Sequence, residues 1–327
     1  MRLTSCACLL LCSLLAVVTA RAIDDAETAQ QLLKRAQKSL VEGEHEDALR
    51  RYQTIAKLYP RTDWAQAAWW QIARLQNHLG DPQAAFDALQ VLIVAHVGQF
   101  EKAHAEQLGL ARTIMNASQQ RERLQGLEPR RPKSLNESEQ DMLAGMLQTI
   151  IRNGPHTETA RQAHFEFALM LERAGKLPQA LLMHEEFLET HMDHELADDA
   201  ACQAAYIRYK QWKTMKSAAP RQRDAARDAM VWFLSRYPHS ERAALARTCL
   251  AELRHSEHKE LETLARYYEG RGKPEAAALY WRELAVKFPD LATAESPLRE
   301  KIVKAVQSTA SPASEQAVGP GREESGR

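Results

Sequence analysis

Four glycines recur in this chain with fixed company, and that register limits the possible folds more than any other feature. Gly43, Gly80, Gly175 and Gly272 are each followed five residues later by an alanine: Ala48, Ala85, Ala180 and Ala277. Seven residues before the same glycines stand Ala36, Ala73, Ala168 and Ala265. Tyr59-Pro60 and Phe288-Pro289 lie at equal distances after Gly43 and Gly272, and Tyr52 and Ile55 match Trp281 and Leu284 at the same offsets. Two weaker copies keep the register without the glycine: Gly154-Pro155 with Leu147 and Ile150, and Tyr237-Pro238 with Ala226 and Phe233. After Pro60, Pro155 and Pro238 come Ala65 and Ala68, Ala160 and Ala163, and Ala243 and Ala246, each pair spaced for one helical face. The repeating unit is therefore a helix, a glycine turn and a second helix ended by proline. Glycine supplies the positive φ that a helix terminus favours, and proline cannot continue a helix interior. The alanines belong where two helix axes cross, because a residue without bulk permits close approach.

Composition agrees with a helical, globular chain. The 327 residues include 43 basic and 43 acidic side chains and are 45% apolar. About one residue in six is alanine, against 13 glycines and 13 prolines, too few turn residues for a sandwich or barrel. No excess of positive charge exists for gripping phosphates, so a nucleic-acid partner is not expected. The fold class read from these signals is all-α, an α-solenoid of five to six helix pairs.

Residues 1–22 have the pattern of a signal peptide. Arg2 precedes the apolar run Cys6 to Val18, and Ala20-Arg21-Ala22 is a cleavage pattern, so export with cleavage after Ala22 is expected. Cys202 and Cys249 would then be the mature thiols; they fall on analogous first helices of neighbouring units and are expected to be unpaired. Repeat units are expected over residues 23–118 and 138–307. Between them, 119–137 carries Arg121, Arg123, Arg130, Arg131 and Lys133 with Pro129 and Pro132, and reads as a basic polar linker. Residues 308–327 read as a disordered tail. The 34-residue gap from Pro238 to Gly272 exceeds the 20 from Pro60 to Gly80, which suggests two helices, Glu241 to Arg254 and Glu257 to Gly270.

No phosphate-binding loop, nucleophile elbow or zinc-protease motif is present, and no catalytic residue, cofactor or metal is assigned. His184, His191 and His194 invite a metal reading. However, His184 and His191 fall at the offsets that Tyr52 and Tyr59 occupy elsewhere, and they read as packed rings.

The pattern resembles the tetratricopeptide repeat, with Trp69, Ala73, Ala85 and Leu89 in one unit and Leu32, Ala36, Ala48, Tyr52 and Pro60 in another. The whole arrangement is similar to the BamD (YfiO) family of outer-membrane assembly factors. That likeness rests chiefly on Phe233 to Pro289, including Ala265-Arg266-Tyr267-Tyr268 and the Gly270-Arg271-Gly272 turn. The resemblance implies a non-catalytic periplasmic scaffold, at most peripheral to the inner face of the outer membrane. Its implied partners are proteins: unfolded β-barrel clients and outer-membrane assembly factors. Pro60 to Ala85 also resembles a periplasmic adaptor of the Tol-Pal envelope-constriction type. In the tetratricopeptide family the stripe beside the packed first-helix residues lines a groove. Here that stripe is Trp70, Arg74 and Asn77, and, one unit on, Phe165, Leu169, Glu172 and Arg173. The partner-binding face implied for the C-terminal units carries Lys259, Glu262, Arg266 and Glu269.

Overall fold

The computed structural model describes residues 28–125, 135–215, 219–290 and 298–307. Among these residues the secondary structure is helical, with no strand. The chain divides into two compact units, Met1–His194 and Glu195–Arg327. In the first, α1 (described over 28–41) is followed by α2 (His45–Leu58), α3 (Asp63–His78), α4 (Pro82–Ala95), α5 (Phe100–Gln125), α6 (Glu137–Asn153), α7 (Glu158–Arg173) and α8 (Leu177–His191). The second contains α9 (Ala197–Thr214), α10 (Pro220–Arg236), α11 (Ala243–Gly270), α12 (Pro274–Lys287) and α13, whose described span is Arg299–Gln307. Within each unit, helices pack mainly on their neighbours in sequence, the signature of an all-α solenoid of tetratricopeptide-like pairs.

The four glycines behave alike. Gly43, Gly80, Gly175 and Gly272 have φ of 79°, 85°, 74° and 67°. In every case the glycine N–H and the next N–H turn back to carbonyls three and five residues earlier, as in Gly80 to Asn77 and Asp81 to Gln76. This is the Schellman ending, which satisfies carbonyls that the last helical turn leaves open. The alanines at minus seven and plus five are all buried, from 0% exposed at Ala36 and Ala168 to 5% at Ala73. Ala65, Ala68, Ala160, Ala163, Ala243 and Ala246 are buried too. Thr62 and Thr157 start α3 and α7 by accepting from the Ala65 and Ala160 amides, at 3.3 and 3.1 Å.

The two-helix expectation over 241–270 is corrected: α11 is one unbroken helix of 28 residues. No glycine or proline lies between Arg254 and Glu257 to stop it. Its buried residues Ala246, Cys249, Leu253, Glu257, Leu261 and Ala265 form a continuous stripe at helical spacing. The extra residues therefore lengthen a helix that packs on both α10 and α12. Leu261 and Ala265 still meet Ala277 and Leu284, and Tyr268 stacks on Tyr280 with centroids 5.5 Å apart.

The segment 119–137 begins inside α5, which continues to Gln125, and α6 starts at Glu137 with Asn136 in a reciprocal capping box with Glu139. The division between compact units falls at His194, because α5 packs on α6 and α7 across that segment. Arg112 joins α5 to α7 through Nε to Glu166 at 3.2 Å and Nη2 to Gln162 at 3.1 Å. The leader, residues 126–134 and the tail lie outside the described residues. Cys202 and Cys249 are both free and buried. Burial pushes the Cys202 thiol up to about 11 and raises Cys249 as well, so both behave as small apolar residues.

Gly154, which ends α6, has a different task from the four turn glycines. A Cβ there would stand 2.9 Å from Phe100 Cζ and from Thr157 Cγ2, and 3.2 Å from His104 Cε1. His104 is itself held, its Nε2 2.8 Å from the Ile150 carbonyl. Gly154→Ala should therefore destabilise the protein by about 1–3 kcal/mol through overpacking. Chemical denaturation measures this, and an unchanged midpoint would show that α5 shifts freely.

Candidate functional site

The first-helix stripe of α3 borders an open cleft in the first unit. Trp70 is half-buried, while Arg74 and Asn77 are exposed. These three form one wall of a space of about 100 Å³ whose floor is Ala73, Leu89 and Leu110. The opposite side belongs to α5, which contributes Glu106. Trp70 is positioned by two further residues from this side. Its indole Nε1–H donates to Gln99 Oε1 at 3.2 Å, and the Lys102 ammonium lies 4.8 Å from its ring centroid. The result is an aromatic plate with a cation on it, over an apolar floor, with a guanidinium and an amide at the rim. Sequence reading missed the α5 wall. Lys102, Glu106 and Leu110 recur at i, i+4 and i+8, a helical spacing that could have marked it.

The structure does not bring the second stripe into this cleft. Phe165 is half-buried and meets His184 at 5.7 Å and Phe187 at 6.2 Å, so its ring packs α7 on α8. Leu169 and Glu172 are half-buried and Arg173 is exposed. Arg173 borders a separate narrow crevice with Met115, Leu135 and Met170.

In the second unit, Lys259 and Arg266 are exposed on α11, and Arg266 pairs with Glu262 at 2.7 Å. Glu269 is engaged within the unit. Its Oε1 accepts from Trp281 Nε1 at 3.0 Å and its Oε2 from Lys301 Nζ at 2.6 Å. Burial opposes ionisation there, yet these two bonds hold the carboxyl below its ordinary value.

Sequence also missed Glu257, which is 3% exposed on the packed stripe of α11. Lys287 Nζ of α12 lies 2.6 Å from its Oε1, and Arg227 Nη1 of α10 donates to both oxygens at 3.1 Å. Arg223, also buried, pairs with Glu260 one turn along. A carboxylate at an apolar register position is the signal that could have found this network.

The profile of a family described as YfiO, outer membrane lipoprotein, matches residues 131–317, more than half of the chain. The chain belongs to the YfiO family. A tetratricopeptide-repeat profile matches 67–96, the α3–α4 pair that carries Trp70. No curated protein matches the sequence. Similar solved structures include the MamA protein, at 14% identity over 65% of this chain and 93% of that one, with a TM-score of 0.35. A tetratricopeptide repeat protein from Parabacteroides merdae is 10% identical over 86% of this chain and 99% of that one, with a TM-score of 0.35. A thermophilic repeat protein of Thermus thermophilus is 15% identical over 69% and 98%, at 0.32. Similarity of this degree says nothing about activity.

This YfiO-family protein is thus a tetratricopeptide-repeat chain of a kind that serves as a protein-interaction scaffold. The family is one of outer membrane lipoproteins, which fits an exported, envelope-associated protein. Among the described residues, no helix is long and apolar enough to cross a membrane.

Proposed function

We propose that the protein is a periplasmic, non-catalytic scaffold in outer-membrane β-barrel assembly that holds extended segments of unfolded clients in the Trp70 cleft. The observation that carries this reading is the half-buried Trp70 beside Lys102, with Arg74 and Asn77 at the rim and Ala73, Leu89 and Leu110 beneath. An apolar or aromatic side chain fits over the floor, and Arg74 and Lys102 favour a neighbouring carboxylate. The groove is built from α3, α4 and α5; Phe165 supports the fold of the α7–α8 pair, and Arg173 adds a cation elsewhere in the same unit. Contact with an assembly partner is assigned to Lys259, Glu262 and Arg266 of α11, with Glu269 holding that helix against α12 and α13.

The test is binding of a fluorescent peptide that ends in an aromatic residue. Trp70→Ala should weaken it by about 2 kcal/mol, roughly thirtyfold in Kd, with the melting temperature nearly unchanged. Equal binding by the variant would remove the cleft from the function. Collapse of the fold would show Trp70 to be a packing residue alone.

A further inference from the structure

The α7–α8 pair is closed by a group of rings centred on Phe187, which is fully buried. His164 of α7 meets Phe187 edge-on at 5.8 Å, His191 stacks on it at 5.2 Å, and His194 stands edge-on at 5.6 Å. One turn earlier on α8, His184 lies edge-on to Phe165 of α7. His184 has no exposed surface, and neither of its ring nitrogens has a hydrogen-bond partner. At the same register the first and last glycine-turn units carry Tyr52 and Trp281, rings that stay neutral near pH 7. His184 fills the same kind of space with a ring that can take a proton.

We propose that the α7–α8 pair is an acid-sensitive latch, in which protonation of the buried His184 releases α8 from α7. An imidazolium in an apolar site without a partner is far costlier than a neutral imidazole. The groups that face α8 from α7 cannot neutralise it. His164 would add a like charge, and Glu158 is already taken by His194, at 3.1 Å to each oxygen, and by Arg161 at 2.9 Å. On α8 itself, His191 bonds Thr190 at 2.6 Å, and Glu185, Glu186 and Glu189 make no bond to His184. Burial pushes His184 down to about 4, with His164 adding to the effect, and it lowers His164 and His191 too. The sign follows. A histidine depressed in the folded state contributes stability that is fully present above its unfolded value of about 6.5 and is lost as pH falls toward about 4. α8 is the last helix of its compact unit and packs there on α7, so it can open without dismantling another pair.

Hydrogen exchange on the full chain tests this at about pH 7.5 and about pH 5, with rates corrected for their intrinsic pH dependence. Protection over residues 177–191 should fall about tenfold or more at the lower pH, while α4 stays protected. His184→Phe and, independently, His184→Leu should keep the protection at both values. Equal protection of the native α8 at both values would overturn the latch. So would a variant that is protected at neutral pH yet opens in acid as the native chain does. A His184 ring signal that titrates near the ordinary histidine value while α8 stays protected overturns it without any variant.

Discussion

Replacing Glu257 with alanine is expected to destabilise the second compact unit by about 3 kcal/mol, the low end for removing one member of a buried ion pair. The carboxylate is 3% exposed and joins three helices, through Arg227 of α10 and Lys287 of α12. Its removal takes a shared anion away from Arg227 and Lys287. The loss stays at the low end because Arg227 retains Asp224 and Asp228, at 3.1 and 3.0 Å, and Lys287 retains Glu283 at 2.9 Å. Burial disfavours the charged carboxylate, but hydrogen bonds from Lys287 and Arg227 outweigh it and hold the Glu257 pKa below its ordinary 4.5. A depressed carboxylate contributes stability that is present above that ordinary value and lost as pH falls through the folded one. The difference between native chain and variant should therefore shrink on acidification. Denaturant unfolding at neutral and acid pH reads both effects. A neutral-pH loss within about 0.5 kcal/mol would mean that the network is a surface feature.

Trp281→Ala should cost as much or more, about 3–5 kcal/mol, because a fully packed large ring is deleted and the site cannot collapse completely. Trp281 is 2% exposed in a cluster with Leu261, Ala265, Ala277, Leu284, Leu298 and Ile302, where α11, α12 and α13 meet. Its indole also bonds Glu269, and Lys301 lies 5.4 Å from its ring centroid. Trp281→Phe should recover most of the loss, since burial returns and the Glu269 bond alone is missing. Unfolding followed by circular dichroism compares the two. Equal losses for Ala and Phe would place the stabilisation in the bond to Glu269 instead of in packing.

Trp70 and Trp281 show how far side-chain identity can be read without the fold. Both are tryptophans on amphipathic helices, yet one is buried in a three-helix cluster and the other is half-buried beside a cleft. The repeat register assigns them different offsets, because Trp281 shares its offset with Tyr52 and Trp70 lies one position beyond Trp69. Register did not foresee Phe165. It holds the same offset as Trp70, but the ring turns to His184 and Phe187. The orientation of a half-buried ring depends on which neighbours have room for it, and in the α7–α8 pair those neighbours are other rings.

Sequence by itself determined the four glycine-turned helix pairs. The four glycine turns, the eight alanines around them and the proline stops are local devices: each acts through the sterics of one residue on its own backbone or on the helix crossing it. Tertiary structure alone decided that the unit boundary lies at His194, and that Gln99, Lys102 and Glu106 complete the cleft. Glu257 gives the physical reason. A carboxylate on an apolar stripe is legible in sequence, but its partners Arg227 and Lys287 stand 30 residues away on either side, and only packing brings them to it. Only their approach makes the buried charge stable.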